Sequence, residues 1–125
     1  MLANIRNLDY VVLLCEDLER MRVFYHEILG FPVYHDLDGW LELQVGCTLL
    51  TLRKRGRPYD GPKLFDSAAV QLAFRVAPAE VDACHVELLR QQVKILEAPR
   101  DQDYGHRTLF FKDPEGNILE IYADI

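Results

Sequence analysis

Glu120 is the residue of this chain that most clearly calls for a chemical explanation. It stands in the alternating run Ile118-Leu119-Glu120-Ile121-Tyr122, near the end of the sequence. Side chains alternate between the two faces of a β-strand, so Glu120 shares a face with Ile118 and Tyr122. A carboxylate on an otherwise apolar face is costly unless it is paired, solvated in a cleft, or bound to a metal. Glu120 is therefore a candidate ligand-binding or catalytic group.

The four histidines are the side chains best suited to proton transfer near neutral pH. His106 lies in the segment Tyr104–Arg107, just before a predicted strand, and is a candidate general acid or base. His26 and His85 fall within predicted helices and His35 falls at the end of a predicted strand. No two histidines have the i, i+4 spacing of a helical metal pair, so we interpret the other three as surface or half-buried imidazoles.

A turn precedes the strand that carries Glu120. In the segment Asp113–Asn117, Pro114 presets φ for the first central position and Gly116 tolerates a positive φ. An apolar run enters this turn and the alternating run leaves it. The pattern predicts a β-hairpin with Glu120 in its second strand.

The first half of the chain has the predicted element order β-α-β-β-β. Its helix is amphipathic, with an N-cap at Asp17 and a stop at Gly30. The predicted strands are Leu8–Cys15, Phe31–His35, Trp40–Val45 and Thr48–Arg53.

The same order recurs in the second half, where Pro78 is placed in the first turn of the helix. The predicted strands are Ala69–Val76, Val93–Glu97, Arg107–Lys112 and Ile118–Tyr122. We therefore predict one α+β domain over residues 1–125, with module 1 at 1–55, a linker at 56–67 and module 2 at 68–125. The basic cluster Arg53–Arg57 has no glycine-rich cradle and is predicted to be a solvated loop.

Composition excludes several classes of function. The net charge of −6 and the pI near 5.1 argue against nucleic acid or an anionic membrane as a partner. No apolar run approaches the roughly 18 residues of a membrane span, and the N-terminus lacks a signal-peptide layout. Cys15, Cys47 and Cys84 are widely spaced, which predicts buried thiols in a cytoplasmic protein.

Two segments resemble a known family. DLERMRVFYHEILGF (Asp17–Phe31) resembles the first helix of the glyoxalase/bleomycin-resistance/extradiol dioxygenase family, the vicinal oxygen chelate proteins. YGHRTLFFKDPEGNILEI (Tyr104–Ile121) resembles its C-terminal hairpin. The resemblance implies two βαβββ modules whose mixed sheet curls around a cleft, and a homodimer. The family includes metal-dependent enzymes and metal-free antibiotic-binding proteins, so the chemistry stays open.

The resemblance also places the metal ligands of metal-using relatives on the first and last strands of each module. In this chain those positions are Tyr10, Thr51, Gln71 and Glu120. Only Glu120 is a strong divalent-metal ligand, while Gln71 offers an amide oxygen. We therefore expect no metal cofactor of the family type. A divergent divalent-metal site that uses Glu120 and Gln71 is the alternative.

Strand alternation predicts which side chains face away from the helices. The candidate ligand-binding set is Tyr10, Trp40, Glu42, Thr51, Gln71, Arg75, Glu120 and Tyr122, with Arg107 added from the loop that the resemblance places at the cleft. This mixture suits a small polar or aromatic ligand, unless Arg75 simply pairs with Glu120 across a solvated sheet. The predicted function is a metal-free small-molecule binder that sequesters a cationic or aromatic compound. The alternative is a lyase, isomerase or dioxygenase-type enzyme with a divergent metal site.

Overall fold

The computed structural model describes residues 1–64 and 67–125, so residues 65–66 of the predicted linker lie outside the described residues. The chain forms two compact units, Met1–Lys63 and Leu64–Ile125. Each unit has one four-stranded mixed sheet and one helical segment between its first two strands, which confirms the α+β class and the repeated β-α-β-β-β order. No helix among the described residues is long and apolar enough to cross a membrane.

The first unit contains strands β1 to β4 in the sheet order β1-β4-β3-β2. β1 runs parallel to β4, and the other pairs are antiparallel. The elements are β1 (Tyr10–Cys15), α1 (Leu18–Arg22) with its π-helical continuation Val23–Ile28, β2 (Val33–Leu37), β3 (Trp40–Val45) and β4 (Thr48–Lys54), preceded by a 3₁₀ turn at Leu2–Asn4. Of the predicted buried thiols, Cys15 is buried but Cys47 is exposed, because it lies in the short turn between β3 and β4.

The helix of the first unit begins and ends where the sequence predicts. The Asp17 carboxylate accepts a hydrogen bond from the Arg20 backbone N–H at 3.0 Å. At the other end Gly30 has φ of 82°, and the Phe31 N–H donates to the carbonyl of Tyr25 at 3.1 Å. Because Phe31 completes this helix end, the strand predicted from Phe31 begins later, at Val33.

The second unit contains strands β5 to β8 in the order β5-β8-β7-β6, with β5 parallel to β8. The elements are β5 (Gln71–Arg75), α2 (Glu80–Arg90), β6 (Ile95–Asp101), β7 (His106–Lys112) and β8 (Ile118–Asp124). The helix begins after Pro78, not at it, because Ala77 to Glu80 form a turn closed by the Glu80 N–H and the Ala77 carbonyl. β6 extends through Pro99, which an irregularly paired edge strand tolerates.

The predicted hairpin between β7 and β8 is confirmed. The Asp113 carboxylate accepts hydrogen bonds from the backbone N–H of Glu115 at 2.9 Å and of Asn117 at 3.0 Å, and from the Asn117 side-chain amide at 2.7 Å. Gly116 has φ of 90°. The turn fixes a register in which Phe110 lies opposite Glu120.

The prediction of a solvated loop at Arg53–Arg57 is confirmed for Gly56 and Arg57, which are exposed, but it is wrong for Arg53, which lies in β4. Arg53 is only 8% exposed, and its guanidinium donates to both carboxylate oxygens of Asp60 at 2.9 and 2.8 Å. The same carboxylate accepts from the backbone N–H groups of Gly56 and Arg57. The Arg53 guanidinium and these N–H groups hold the pKa of Asp60 well below its usual range.

Candidate functional site

The sheet of the second unit has two chemically different faces. Residues directly opposite each other in neighbouring strands share a face, so the observed register assigns the faces without ambiguity. The face away from α2, called the polar face below, carries Gln71, Arg75, His106, Glu120, Tyr122 and Asp124. The opposite face carries apolar side chains and includes Leu72, Phe74, Leu119 and Ile121. The alternation predicted from the sequence is therefore confirmed for this sheet.

Glu120 lies in the middle of the polar face and is only 9% exposed. The Gln71 amide donates to its carboxylate over a long 3.4 Å contact. In the part of the chain that the structure describes, no lysine, arginine or histidine nitrogen lies within 4.0 Å of this carboxylate. Its cross-strand neighbours are Phe110 and Ala73, which offer no polar side-chain atom. Glu120 is therefore a buried carboxylate with one weak neutral partner.

Arg75 does not pair with Glu120. Its Nε donates to the Tyr122 hydroxyl at 3.2 Å, and its Cζ lies 5.6 Å from the centroid of the Tyr122 ring. Its Nη1 is 3.9 Å from the Asp124 carboxylate. The hydrogen bond to Tyr122 and the charge of Asp124 raise the pKa of Arg75. The alternative in which Arg75 neutralises Glu120 across the sheet is thus not the arrangement observed.

His106 joins the same cluster from β7. Its Nε2 lies 3.1 Å from the Asp124 carboxylate, and its ring stacks on Tyr122 with centroids 4.7 Å apart and planes 27° apart. Asp124 is not among the residues predicted from the sequence. Alternation alone could have found it, because Asp124 lies four residues after Glu120 and therefore on the same strand face.

Arg107 lies on the other side of this sheet. It is opposite the buried Ala123 in the register, and its guanidinium reaches Asp82 of α2 at 2.8 Å and Asp101 at 2.9 Å. Successive residues of a strand point to opposite faces, so Arg107 cannot share the polar face with its neighbour His106. Within this sheet the structure therefore does not bring Arg107 together with Gln71, Glu120 and Tyr122.

The first unit carries an aromatic cluster on the sheet face away from α1. The Tyr10 and Trp40 rings meet edge to face with centroids 6.3 Å apart. The Arg57 guanidinium lies 6.0 Å from the Trp40 ring centroid, within cation–π range, and donates to the Tyr59 hydroxyl. The structure thus places Trp40 beside a cation that the sequence did not predict. Arg57 is positioned by the loop of residues 55–60, called the Asp60 loop below, in which the Asp60 carboxylate accepts from the Arg57 N–H.

Thr51 and Glu42 lie side by side on this face of the first unit. Thr51 is fully buried, and its Oγ1 has no hydrogen-bond partner among residues 1–64 and 67–125. Glu42 lies 3.3 Å from Nδ1 of His35. Thr51 stands at the position in β4 that Glu120 holds in β8, so each unit places one poorly satisfied buried polar group at the corresponding place in its repeat.

The donor groups at the positions implied for a metal do not fit a divalent ion. They are the neutral hydroxyls of Tyr10 and Thr51, the amide of Gln71 and the carboxylate of Glu120. Divalent metals in catalytic sites are normally held by three strong imidazole, thiolate or carboxylate ligands. Within the described residues, no three His, Cys, Asp or Glu side chains are grouped so that they could hold a metal ion.

Comparisons with known proteins agree with this architecture. The model of the Glyoxalase/Bleomycin resistance protein/Dioxygenase superfamily matches residues 7–121. Glyoxalase domain-containing protein RDO1 of Mycosarcoma maydis is 25% identical over 122 residues, which cover 94% of this chain and 68% of that protein. Virulence protein STM3117 of Salmonella typhimurium is 25% identical over 130 residues, covering 94% and 83%. The crystal structure of a glyoxalase/bleomycin resistance protein/dioxygenase from Nocardioides has the same fold, with a TM-score of 0.84 at 19% identity over 98% of this chain and 85% of that one.

Proposed function

The chain belongs to the Glyoxalase/Bleomycin resistance protein/Dioxygenase superfamily, and we propose that this member binds a small organic compound whose cationic or hydrogen-bond-donating group contacts Glu120. The binding uses the polar face of the second unit and needs no metal centre. One observation carries the proposal, namely that Glu120 is buried with a single long contact to Gln71. A bound donor would complete its hydrogen bonding.

Two other carboxylates of this chain, unlike Glu120, accept several hydrogen bonds from the surrounding protein. Asp113 accepts three hydrogen bonds within its turn, and Asp60 accepts four from Arg53, Gly56 and Arg57. Glu120 has none of these partner sets. A carboxylate with so few protein partners has lone pairs left to accept hydrogen bonds from a ligand.

The neighbours of Glu120 favour a compound with an apolar or aromatic body. Phe110 lies directly across the strand pair, and Tyr122 lies two residues along the same strand. Aromatic faces near a carboxylate attract organic ammonium, amidinium or guanidinium groups through combined ion-pair and cation–π interactions. The net charge of −6 adds a general attraction for cations.

A thermal-shift screen with compounds matched in shape tests this function. Benzylammonium and benzamidinium are compared with the neutral benzyl alcohol, alongside a library of metabolites and antibiotics. We expect cationic members to stabilise the wild type, and Glu120→Gln to weaken their binding by roughly 1–3 kcal/mol, because it keeps the shape and removes the charge.

Glu80→Gln is the matched control, since it removes the same charge from the first turn of α2, on the opposite side of the sheet. The control should bind the cations like the wild type. Equal binding of charged and neutral compounds, or equal losses in the two variants, would contradict a role for Glu120 in ligand recognition.

We also propose that the protein is a homodimer. β2 ends the sheet of the first unit, and all five of its residues are exposed, with Tyr34 at 61% and Leu37 at 57%. An edge strand with exposed apolar side chains is usually covered by another element or by a partner chain. A second copy of the chain would provide that cover.

A further inference from the structure

We propose that His106 is a general base, oriented by Asp124, that removes a proton from a compound bound on the polar face. This goes beyond the proposed binding function, because it adds a reaction, and it does not depend on the role of Glu120. The geometry that supports it is the 3.1 Å contact between His106 Nε2 and the Asp124 carboxylate.

The His106 ring is held in place from several sides. It stacks on Tyr122, and the Tyr104 ring meets its edge with centroids 5.2 Å apart. The backbone on either side is fixed as well, because the His106 carbonyl accepts from the Gln102 N–H at 2.7 Å and the Gly105 carbonyl accepts from the Ile125 N–H at 2.9 Å. A positioned imidazole is what general-base catalysis requires, and a freely rotating surface histidine does not provide it.

The contact with Asp124 determines which ring nitrogen is basic. A neutral imidazole donates through one nitrogen and accepts through the other, so an Nε2–H that is bonded to Asp124 leaves the lone pair on Nδ1. His106 Nδ1 has no hydrogen-bond partner among residues 1–64 and 67–125. By contrast, Nδ1 of His26 contacts the Phe31 carbonyl at 2.8 Å, and Nδ1 of His35 contacts Glu42.

The imidazolium that the reaction would create already has a hydrogen-bond acceptor and an aromatic face beside it. In the reaction, Nδ1 takes the proton from an O–H, an N–H or an activated C–H bond, and the bonding electron pair stays on the bound compound. The resulting imidazolium keeps its Nε2–H bonded to the Asp124 carboxylate and its ring against the π face of Tyr122. The proton then returns to another atom of the compound or to water, so no oxidant, reductant or second substrate is needed. The compound must therefore carry an acidic proton.

Base-catalysed ring opening of 5-nitrobenzisoxazole is a suitable probe. Removal of the proton on C3 of its isoxazole ring forms a nitrile, breaks the N–O bond and releases a coloured cyanonitrophenolate, so the rate reports proton abstraction directly. We expect the wild type to exceed an equal concentration of free imidazole, and His106→Gln to lower kcat/KM by roughly 100-fold or more. His85→Gln, which removes a histidine from α2, should leave the rate unchanged.

The pH profile and the ring tautomer test the positioning role of Asp124. The rate should rise with pH, because only the neutral imidazole can accept a proton. The charged and titratable groups around the imidazole are Asp124 and Tyr122 on β8, Arg75 on β5 and Tyr104 in the preceding turn. Long-range ¹H–¹⁵N NMR spectra should show the Nε2–H tautomer in the wild type. Asp124→Ala should lose this preference and most of the rate. Asp124→Asn should keep the tautomer, because its amide oxygen still accepts, and should show an intermediate rate.

Two results would overturn the proposal. One is a folded His106→Gln variant that opens the ring as fast as the wild type. The other is a wild-type rate no greater than that of free imidazole, together with an NMR spectrum that shows no preferred tautomer for His106.

Discussion

Glu120→Gln should not destabilise the protein, although it alters a side chain that is only 9% exposed. The glutamine oxygen can still accept from the Gln71 amide, and the substitution removes a buried charge that has no cationic partner. Relief of this desolvation should raise the free energy of unfolding at pH 7 by about 1 kcal/mol, within a range of about 0 to 2 kcal/mol. For a chain of this length the melting temperature would rise by about 3–6 °C.

Asp113→Asn is the matched comparison, since it makes the same chemical change at a carboxylate that is 4% exposed and fully bonded within its turn. The new amide group would face the Asn117 amide, which donates to Asp113 at 2.7 Å in the wild type. We expect this variant to lose about 1–3 kcal/mol. Urea unfolding followed by circular dichroism measures both values.

The opposite outcome for Glu120 would refute the reasoning. A structural ion pair at Glu120 predicts a loss of about 3–5 kcal/mol in Glu120→Gln, because the partner charge would be left buried and alone. A loss of unfolding free energy above about 2 kcal/mol would therefore mean that Glu120 stabilises the fold through a stronger interaction than its long contact with Gln71.

Three further predictions concern other parts of the chain. Because Arg53 and nearby N–H groups lower the pKa of Asp60, its stabilisation is present above the usual carboxyl range and is lost as pH falls. Urea unfolding should therefore show a smaller loss of stability between about pH 5 and pH 2 for Asp60→Asn than for the wild type. Glu87→Gln is the control, because it breaks only an exposed helix pair and should leave the melting temperature at pH 7 unchanged. Arg57→Ala should shift the fluorescence emission of Trp40, the single tryptophan, because the guanidinium lies 6.0 Å from its ring; an unchanged spectrum would mean that the contact does not persist in solution. Light scattering should give twice the 14.5 kDa of one chain, and a monomer at micromolar concentration would contradict the homodimer.

The faces of the strands could be predicted from the sequence, because strand geometry forces side chains to alternate. The same rule placed Gln71, Arg75, Glu120 and Tyr122 together, and the register of β5, β7 and β8 confirms that grouping. Arg107 was added to the predicted ligand-binding residues because the family resemblance places its segment in a loop at the cleft. Its bonds to α2 show that strand alternation already applies at the start of β7.

The partners within the site could not be predicted in the same way. The choice of Arg75 between Glu120 and Tyr122 depends on side-chain reach and rotamer, which alternation does not define. The order of the Asp60 loop could not be predicted from the sequence for a related reason. Its order comes from one carboxylate that bonds a strand residue and two backbone N–H groups, and a segment rich in glycine, proline and arginine gives no periodic signal for such an arrangement.

Calorimetric titration of the protein with divalent metals tests most directly whether Glu120 serves an organic ligand and not a metal. Manganese, nickel, zinc and iron(II) would each be titrated into chelator-treated wild type and into Glu120→Gln. One carboxylate and one amide should give no saturable binding heat with any of the four metals, and the two proteins should behave alike. One-to-one metal uptake by the wild type that disappears in Glu120→Gln would contradict the account.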